Sequence, residues 1–219
     1  MTTPPRIALI HALKHSIAPI EAAFAKVWPE ARLMNLLDDS LSADLARDGA
    51  LNDTMTERFL ALGNYAATTG ANGILFTCSA FGPCIEAVAR AHAPMPVLKP
   101  NEAMIERAVT MGRRIGLLST FPPTLASMPP EFPALVALQC ALAEGALDAL
   151  NRGDADTHDR LIAEQASRLE ASGCKTIALA QFSMARARGL CEDATGLRVL
   201  TTVDSAVAEL QRRLSDKAG

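Results

Sequence analysis

The segment Thr77-Cys78-Ser79-Ala80-Phe81-Gly82 sets a thiol between two hydroxyls at the end of a short apolar run. Cys78 thus stands where a strand gives way to a turn and a helix N-terminus, a place where backbone N–H groups and the helix dipole favour a thiolate. A free thiol of pKa ~8.5 is only a few per cent ionised at neutral pH, so such lowering matters to a base. The hydroxyls of Thr77 and Ser79, with neighbouring amides, suit a carboxylate or a developing enediolate. Each well-aimed donor of that kind is worth about 3 kcal/mol. The plainer expectation for Cys78 is core filling, since cysteine is among the most buried residues.

Other groups of the right chemistry are scattered along the chain. His11, Lys14 and His15 lie on the loop after the first apolar run, and Lys99 ends a later one. Histidine is the natural base near neutral pH, and Lys14 or Lys99 suits a clamp on a substrate carboxylate; a solvated loop residue is the plain alternative for each. Ser16 is placed to cap the first helix and to reach a ligand. Ser119, Thr120 and Thr124 form a hydroxyl-rich turn with Pro122 and Pro123, a second candidate carboxylate cradle. Asp38 and Asp39 read as an exposed turn, His92 and His158 as exposed helix positions, and Cys84 as packing. No Gly-rich phosphate loop, zinc spacing or Ser/His/Asp nucleophile pattern occurs.

These residues need elements to position them. Arg6–Ile10 reads as a buried strand, and Ile17, Ile20, Phe24, Val27 and Trp28 recur at helical spacing until Pro29. Arg32–Leu37, Ile74–Thr77 and Pro96–Lys99 read as further strands. Helices are expected over Thr56–Thr68, from about Pro83, and over Glu102–Met111 with Asn101 as N-cap. This alternation predicts a mostly parallel sheet covered on both faces.

The pattern then repeats. Arg6-Ile-Ala-Leu-Ile-His11 matches Arg114-Ile-Gly-Leu-Leu-Ser119, 108 residues on, and Thr69–Cys78 matches Ser172–Gln181, 103 residues on. Two pseudo-symmetric α/β lobes are expected, each a parallel sheet flanked by helices, with the active site in the cleft between them. Residues 98–200 would form the second lobe and 1–97 plus 201–219 the first, with the run Arg198–Thr202 and the helix Val203–Leu214 returning to pack on the first lobe. Ligands of parallel sheets bind beyond the carboxyl ends of the strands. Four loops then converge: His11–Ser16, Thr77–Gly82, Ser119–Thr124 and Gln181–Ser183, the last bringing Gln181, Phe182 and Ser183 as carboxylate-binding candidates.

Composition narrows the class. Of 219 residues, 49% are hydrophobic and 21% charged, an ordinary globular mixture. The net charge of −3 and the 4% aromatic content speak against nucleic acid or an anionic membrane as partner. No apolar stretch approaches the roughly 20 residues of a membrane span. The five cysteines have no paired zinc-type spacing and no export signal precedes them, which favours reduced thiols and a cytoplasmic location.

Gly73-Ile-Leu-Phe-Thr-Cys78-Ser-Ala-Phe81 resembles the first catalytic-cysteine motif of the aspartate/glutamate/hydantoin racemase superfamily. Pro96–Ala103, continuing through Gly112–Thr120, resembles that family's inter-lobe stretch, and Thr202–Ala206 its closing segment. The resemblance implies two similar lobes with a small carboxylate substrate between them, no metal or pyridoxal cofactor, and a possible homo-oligomer. It also implies two cysteines: one removes the α-proton and the other protonates the opposite face. The second should fall at Gln181, whose amide does not titrate usefully and can only donate to an oxyanion. The expected activity is therefore proton transfer next to a carboxylate by Cys78 with a non-cysteine partner, as in an isomerase or racemase. One alternative is a decarboxylase of a malonate-like diacid, which needs one proton on one face and resembles arylmalonate decarboxylases, although their single cysteine lies in the second motif. The other is a carboxylate-binding protein without catalysis.

Overall fold

A computed structural model of the chain describes residues 4–111 and 114–216. Met1–Thr3, the Gly112-Arg113 pair of the inter-lobe stretch and Lys217–Gly219 lie outside the described residues. In the first half the order is β1 (Arg6–His11), α1 (Ile17–Val27), β2 (Arg32–Leu37), α2 (Ser40–Asp48), α3 (Asp53–Thr68), β3 (Gly73–Phe76), α4 (Gly82–Ala91), β4 (Val97–Leu98) and α5 (Glu102–Thr110). The second half runs β5 (Ile115–Ser119), α6 (Pro122–Ser127), β6 (Leu138–Leu142), α7 (Ala146–Asn151), α8 (Ala155–Ala171), β7 (Thr176–Leu179), α9 (Arg188–Thr195), β8 (Val199–Thr201) and α10 (Thr202–Ser215).

The strands form two four-stranded sheets of identical order, β2-β1-β3-β4 and β6-β5-β7-β8, with every pairing parallel. β3, β5 and β7 are buried at every position, as strands covered by helices on both faces must be. The edge strands β2 and β6 alternate instead between half-buried and exposed residues. Register carries the duplication further than identity does. Ile10 pairs with Phe76 in one sheet and Leu118 with Leu179 in the other, so Cys78 and Gln181 each stand two residues past the equivalent last pair.

Glycine explains why the approach to these tips repeats. α3 and α8 each end two residues before a glycine of positive φ, Gly70 at 81° and Gly173 at 97°, and the chain then turns into β3 or β7. Each helix begins on a side-chain cap: Asn52 accepts from the Met55 N–H and Asp154 from the Thr157 N–H. α10 returns to lay Val203, Ala206, Val207 and Leu210 in a core cluster with Ile7 and Leu9 of β1 and Leu75 of β3.

Several local expectations need correction. Asn101 makes no cap hydrogen bond; its amide donates to Glu131 Oε1 at 2.8 Å, because Glu131 folds over it. Ser16 makes no cap bond either and is buried toward the cleft. His158 is fully buried rather than exposed, its Nδ1 against Asp159 at 2.7 Å, and His92 is half-buried at the end of α4. Asp38 is held by Arg58 and Ser40, each at 2.6 Å.

Candidate functional site

The carboxyl ends of the two sheets meet. Ser79, one residue past Cys78, donates its hydroxyl to the Ala180 carbonyl at 3.0 Å, tying the tip of β3 to the tip of β7. His15 Nε2 and Asn151 Oδ1, 3.0 Å apart, make a second link between the halves. Between them lies a chamber of about 20 Å³ lined by Leu13, Ser16, Ser42, Thr77, Cys78, Phe121, Leu147, Gln181 and Ser183. That is room for about one water. A vestibule of about 450 Å³ adjoins it, with Lys14, Asp39, Asp148 and Asn151 in its wall.

Cys78 is half-buried and is the one titratable side chain among the chamber's described lining residues. Its extended backbone (φ −123°, ψ 119°) leads into a short 3-10 turn, Ser79–Phe81. Burial pushes its thiol up to about 11, against the downward pull of the Ala80 N–H and the Ser42 hydroxyl. The lowered pKa expected of a turn before a helix is therefore overturned: desolvation outweighs the two donors. A thiol raised this far keeps its proton at neutral pH.

Gln181 occupies the equivalent place with an equivalent backbone (φ −132°, ψ 147°). Its Oε1 accepts three hydrogen bonds, from the Thr120 N–H at 2.7 Å, the Ser119 hydroxyl at 2.9 Å and the Thr120 hydroxyl at 3.0 Å. The Thr120 N–H can only donate, so the amide has one orientation, with Nε2 as its free end. Gln181 therefore brings to the chamber two N–H donors and no base. Ser183 adds a hydroxyl that is 1% exposed and has no partner among the described residues.

The remaining candidates divide. Ser119 and Thr120 act on Gln181 rather than facing the chamber, and Thr124 is wholly buried beside Ser79. Ser79 itself has its hydroxyl engaged by Ala180. Phe182 is a core residue, packed among Ile20, Phe24 and Val207, because an aromatic ring gains most from burial there. Lys14 reaches only the vestibule, and His15 serves the inter-lobe link. Lys99 is removed from the cleft: Glu86 at 2.8 Å and Glu131 at 3.3 Å hold its ammonium.

His11 stands behind the chamber. Asn35 Nδ2 donates to Glu21 at 2.8 Å, which turns Asn35 Oδ1 toward His11 Nε2 at 2.9 Å. Nε2 then carries the proton and Nδ1 accepts from the Thr77 hydroxyl at 2.8 Å. Both ring nitrogens are engaged, and burial holds the pKa below 6.5, so His11 orients Thr77 rather than acting as a base. Two contributors were not anticipated. Asn35 carried a signal, a lone amide inside the apolar run Leu33–Leu37. Ser42 carried none; it reaches the chamber because Leu41 and Leu45 of α2 turn inward on either side of it.

Among the described residues no group of three or more His, Cys, Asp or Glu is placed to hold a metal, and no helix is long and apolar enough to cross a membrane. Residues 16–210 match the model of the Asp/Glu/hydantoin racemase family. The chain is similar in structure to an allantoin racemase from Klebsiella pneumoniae, with a TM-score of 0.70 at 18% identity over 97% of this chain and 89% of that one. It is likewise similar to a glutamate racemase from Thermus thermophilus in complex with beta-chloro-D-alanine, with a TM-score of 0.74 at 17% identity over 99% and 82% of the two chains. A glycine-to-cysteine variant of arylmalonate decarboxylase, in a sulfate-associated form, gives 0.66 at 17% identity over 96% and 94%. No curated protein matches the chain by sequence.

Proposed function

This chain belongs to the Asp/Glu/hydantoin racemase family, and on that premise we propose that it moves a proton at the carbon next to a carboxylate, with Cys78 as its acid/base group. The form of that chemistry best supported is delivery of one proton to one face of an enediolate, as follows loss of CO₂ from a malonate-like diacid. The observation that carries this reading is the anchored amide of Gln181, which offers a donor where a second thiol would have to stand.

In this mechanism the retained carboxylate of the substrate accepts from Gln181 Nε2 and Ser183 Oγ. The bond to the departing carboxylate breaks, CO₂ leaves, and the electron pair moves onto the retained group as an enediolate. Each donor that strengthens as this charge develops contributes about 3 kcal/mol. The Cys78 S–H then passes its proton to the carbon, leaving a thiolate. A thiol raised to about 11 suits an acid of this kind, since it is protonated when the step begins. The electrons need no further sink, so neither metal nor cofactor enters.

Family membership and the likeness to racemases favour a second reading, in which Cys78 first removes an α-proton to reach the same enediolate. That route must ionise the thiol beforehand and find another acid for the opposite face. Products formed in heavy water separate the two. With phenylmalonate the proposed activity releases CO₂ and places one deuterium on one face of the product. Exchange of the α-proton in glutamate, aspartate or a hydantoin, without CO₂ release and yielding both stereoisomers, would replace it with the isomerase reading. Ligand binding with no exchange and no CO₂ from any of these compounds would leave a binding protein.

A further inference from the structure

The chamber around Cys78 and the vestibule outside it share four lining residues: Leu13, Ser42, Phe121 and Leu147. Three of these are apolar and can carry no proton. The fourth differs. Ser42 donates its hydroxyl to the Ala12 carbonyl at 2.9 Å and lines the same chamber as Cys78, whose thiol pKa it pulls downward. With its one proton committed to Ala12, the Ser42 oxygen keeps its lone pairs as acceptors.

We infer that Ser42 is the proton relay between Cys78 and the vestibule. The inference rests on the reading of Cys78 as the acid/base group. Once Cys78 has given up its proton, a thiolate remains in a chamber whose described lining holds no cation and has room for about one water. It must be reprotonated before the next turnover. The Ser16 and Ser183 hydroxyls line the chamber but not the vestibule, so neither leads to bulk water. The Thr77 hydroxyl faces His11, the His11 ring is engaged at both nitrogens, and an amide such as Gln181 does not release protons at useful pH. Ser42 has only to swing its O–H from Ala12 to the sulfur. As the S–H bond forms, the serine O–H bond breaks, and the oxygen takes a proton from a vestibule water. The hydroxide left behind is neutralised by buffer. No electron changes hands, and the hydroxyl then returns to Ala12.

Two variants test this, Ser42→Ala and Ser42→Thr. The first readout needs no substrate: alkylation by iodoacetamide at pH 8.5, followed at the Cys78 peptide by mass spectrometry so that the exposed Cys140 does not interfere. Loss of the hydroxyl removes a donor to the thiolate, so the Ser42→Ala rate should fall about tenfold, while Ser42→Thr stays near wild type. An unchanged Ser42→Ala rate overturns the relay. The second readout compares turnovers on phenylmalonate. With enzyme in excess, Ser42→Ala should lose far less in its first turnover than it loses in steady state, because Cys78 starts protonated. With substrate in excess it should give a burst of one equivalent and then run at least tenfold slower. Equal slowing in both regimes would mean that Ser42 merely shapes the chamber, and the relay fails. If wild type leaves phenylmalonate untouched, the decarboxylase reading falls, and the alkylation rates alone decide the relay.

Discussion

The turns after β3 and after β7 lie at matching places in two sheets of the same strand order, with nearly the same backbone, and each runs into a 3-10 segment. Their side chains meet opposite surroundings. Cys78 has a desolvating wall and two donors, and keeps its proton. Gln181 has three donors aimed at one oxygen, supplied by the β5 tip, which leaves its nitrogen as the reactive end. In the other lobe the position matching Ser119 is His11, which serves Thr77 instead of the residue at the tip. A duplicated frame thus holds a protonated thiol on one side and an amide with a free N–H end on the other. The asymmetry lies in what the flanking strand offers, not in the backbone.

Removing each tip in turn should break that division most visibly. On the proposed function, Cys78→Ala takes away the group that protonates carbon and should lower turnover about 10³-fold with binding of a carboxylate retained, measured as kcat against KM. Full activity would end the role given to the thiol. Gln181→Ala removes one oxyanion donor and should lower kcat about 10²-fold. It also strands the Ser119 and Thr120 donors, so a loss of about 1–3 kcal/mol in urea unfolding should accompany it. Gln181→Cys sharpens the comparison further. A thiol there supplies a proton to the second face, and the single-faced product should become a mixture of stereoisomers.

Each lobe also buries one histidine, His11 in the first and His158 in the second, and burial lowers both pKa values. A group whose folded pKa lies below 6.5 binds fewer protons folded than unfolded once the pH drops to that range. Its contribution to stability is complete above pH 6.5 and is lost as the pH falls from 6.5 toward the depressed value. The urea midpoint should therefore be lower at pH 5.5 than at pH 7.5. In His158→Gln the difference between the two pH values should shrink; a difference of undiminished size would show that the second-lobe histidine is not a source of it.

How much of this was legible beforehand follows the range of the forces involved. The strands and the equivalence of positions 78 and 181 were readable because short apolar runs and the glycines at 70 and 173 act locally. Lys99 was misplaced because its fate depends on Glu131, 32 residues away in sequence, folding back beside it. The burial of His158 depends on α8 lying across its sheet, and a helical period cannot tell a polar residue facing that sheet from one facing water. Ser42 was invisible for a related reason: a serine between Leu41 and Ala43 looks like any helix surface until the neighbouring strand tip is in place. The thiol's pKa was misjudged in sign, because helix-terminus effects are written in sequence and desolvation is not.

The finest test of the duplication lies in the strands themselves. Ala8 of β1 pairs with Ile74, and its counterpart Gly116 of β5 pairs with Ile177. One lobe has room for a methyl where the other does not. A Cβ built on Gly116 would stand 2.9 Å from Leu169 Cδ1, 3.1 Å from Ile177 Cδ1 and 3.2 Å from Leu169 Cβ. The two Cδ1 atoms can move aside, but the Leu169 Cβ is fixed to α8, so the helix itself must shift. Gly116→Ala should destabilise by about 1–3 kcal/mol, read in urea unfolding, with the activity of folded protein unchanged because the strand tip is untouched. Combining it with Leu169→Ala removes the 2.9 Å Cδ1 contact and leaves the Cβ one, so the double variant should be more stable than the sum of the two single changes predicts. Strict additivity would mean that the missing methyl in β5 has nothing to do with how closely α8 packs on the second sheet.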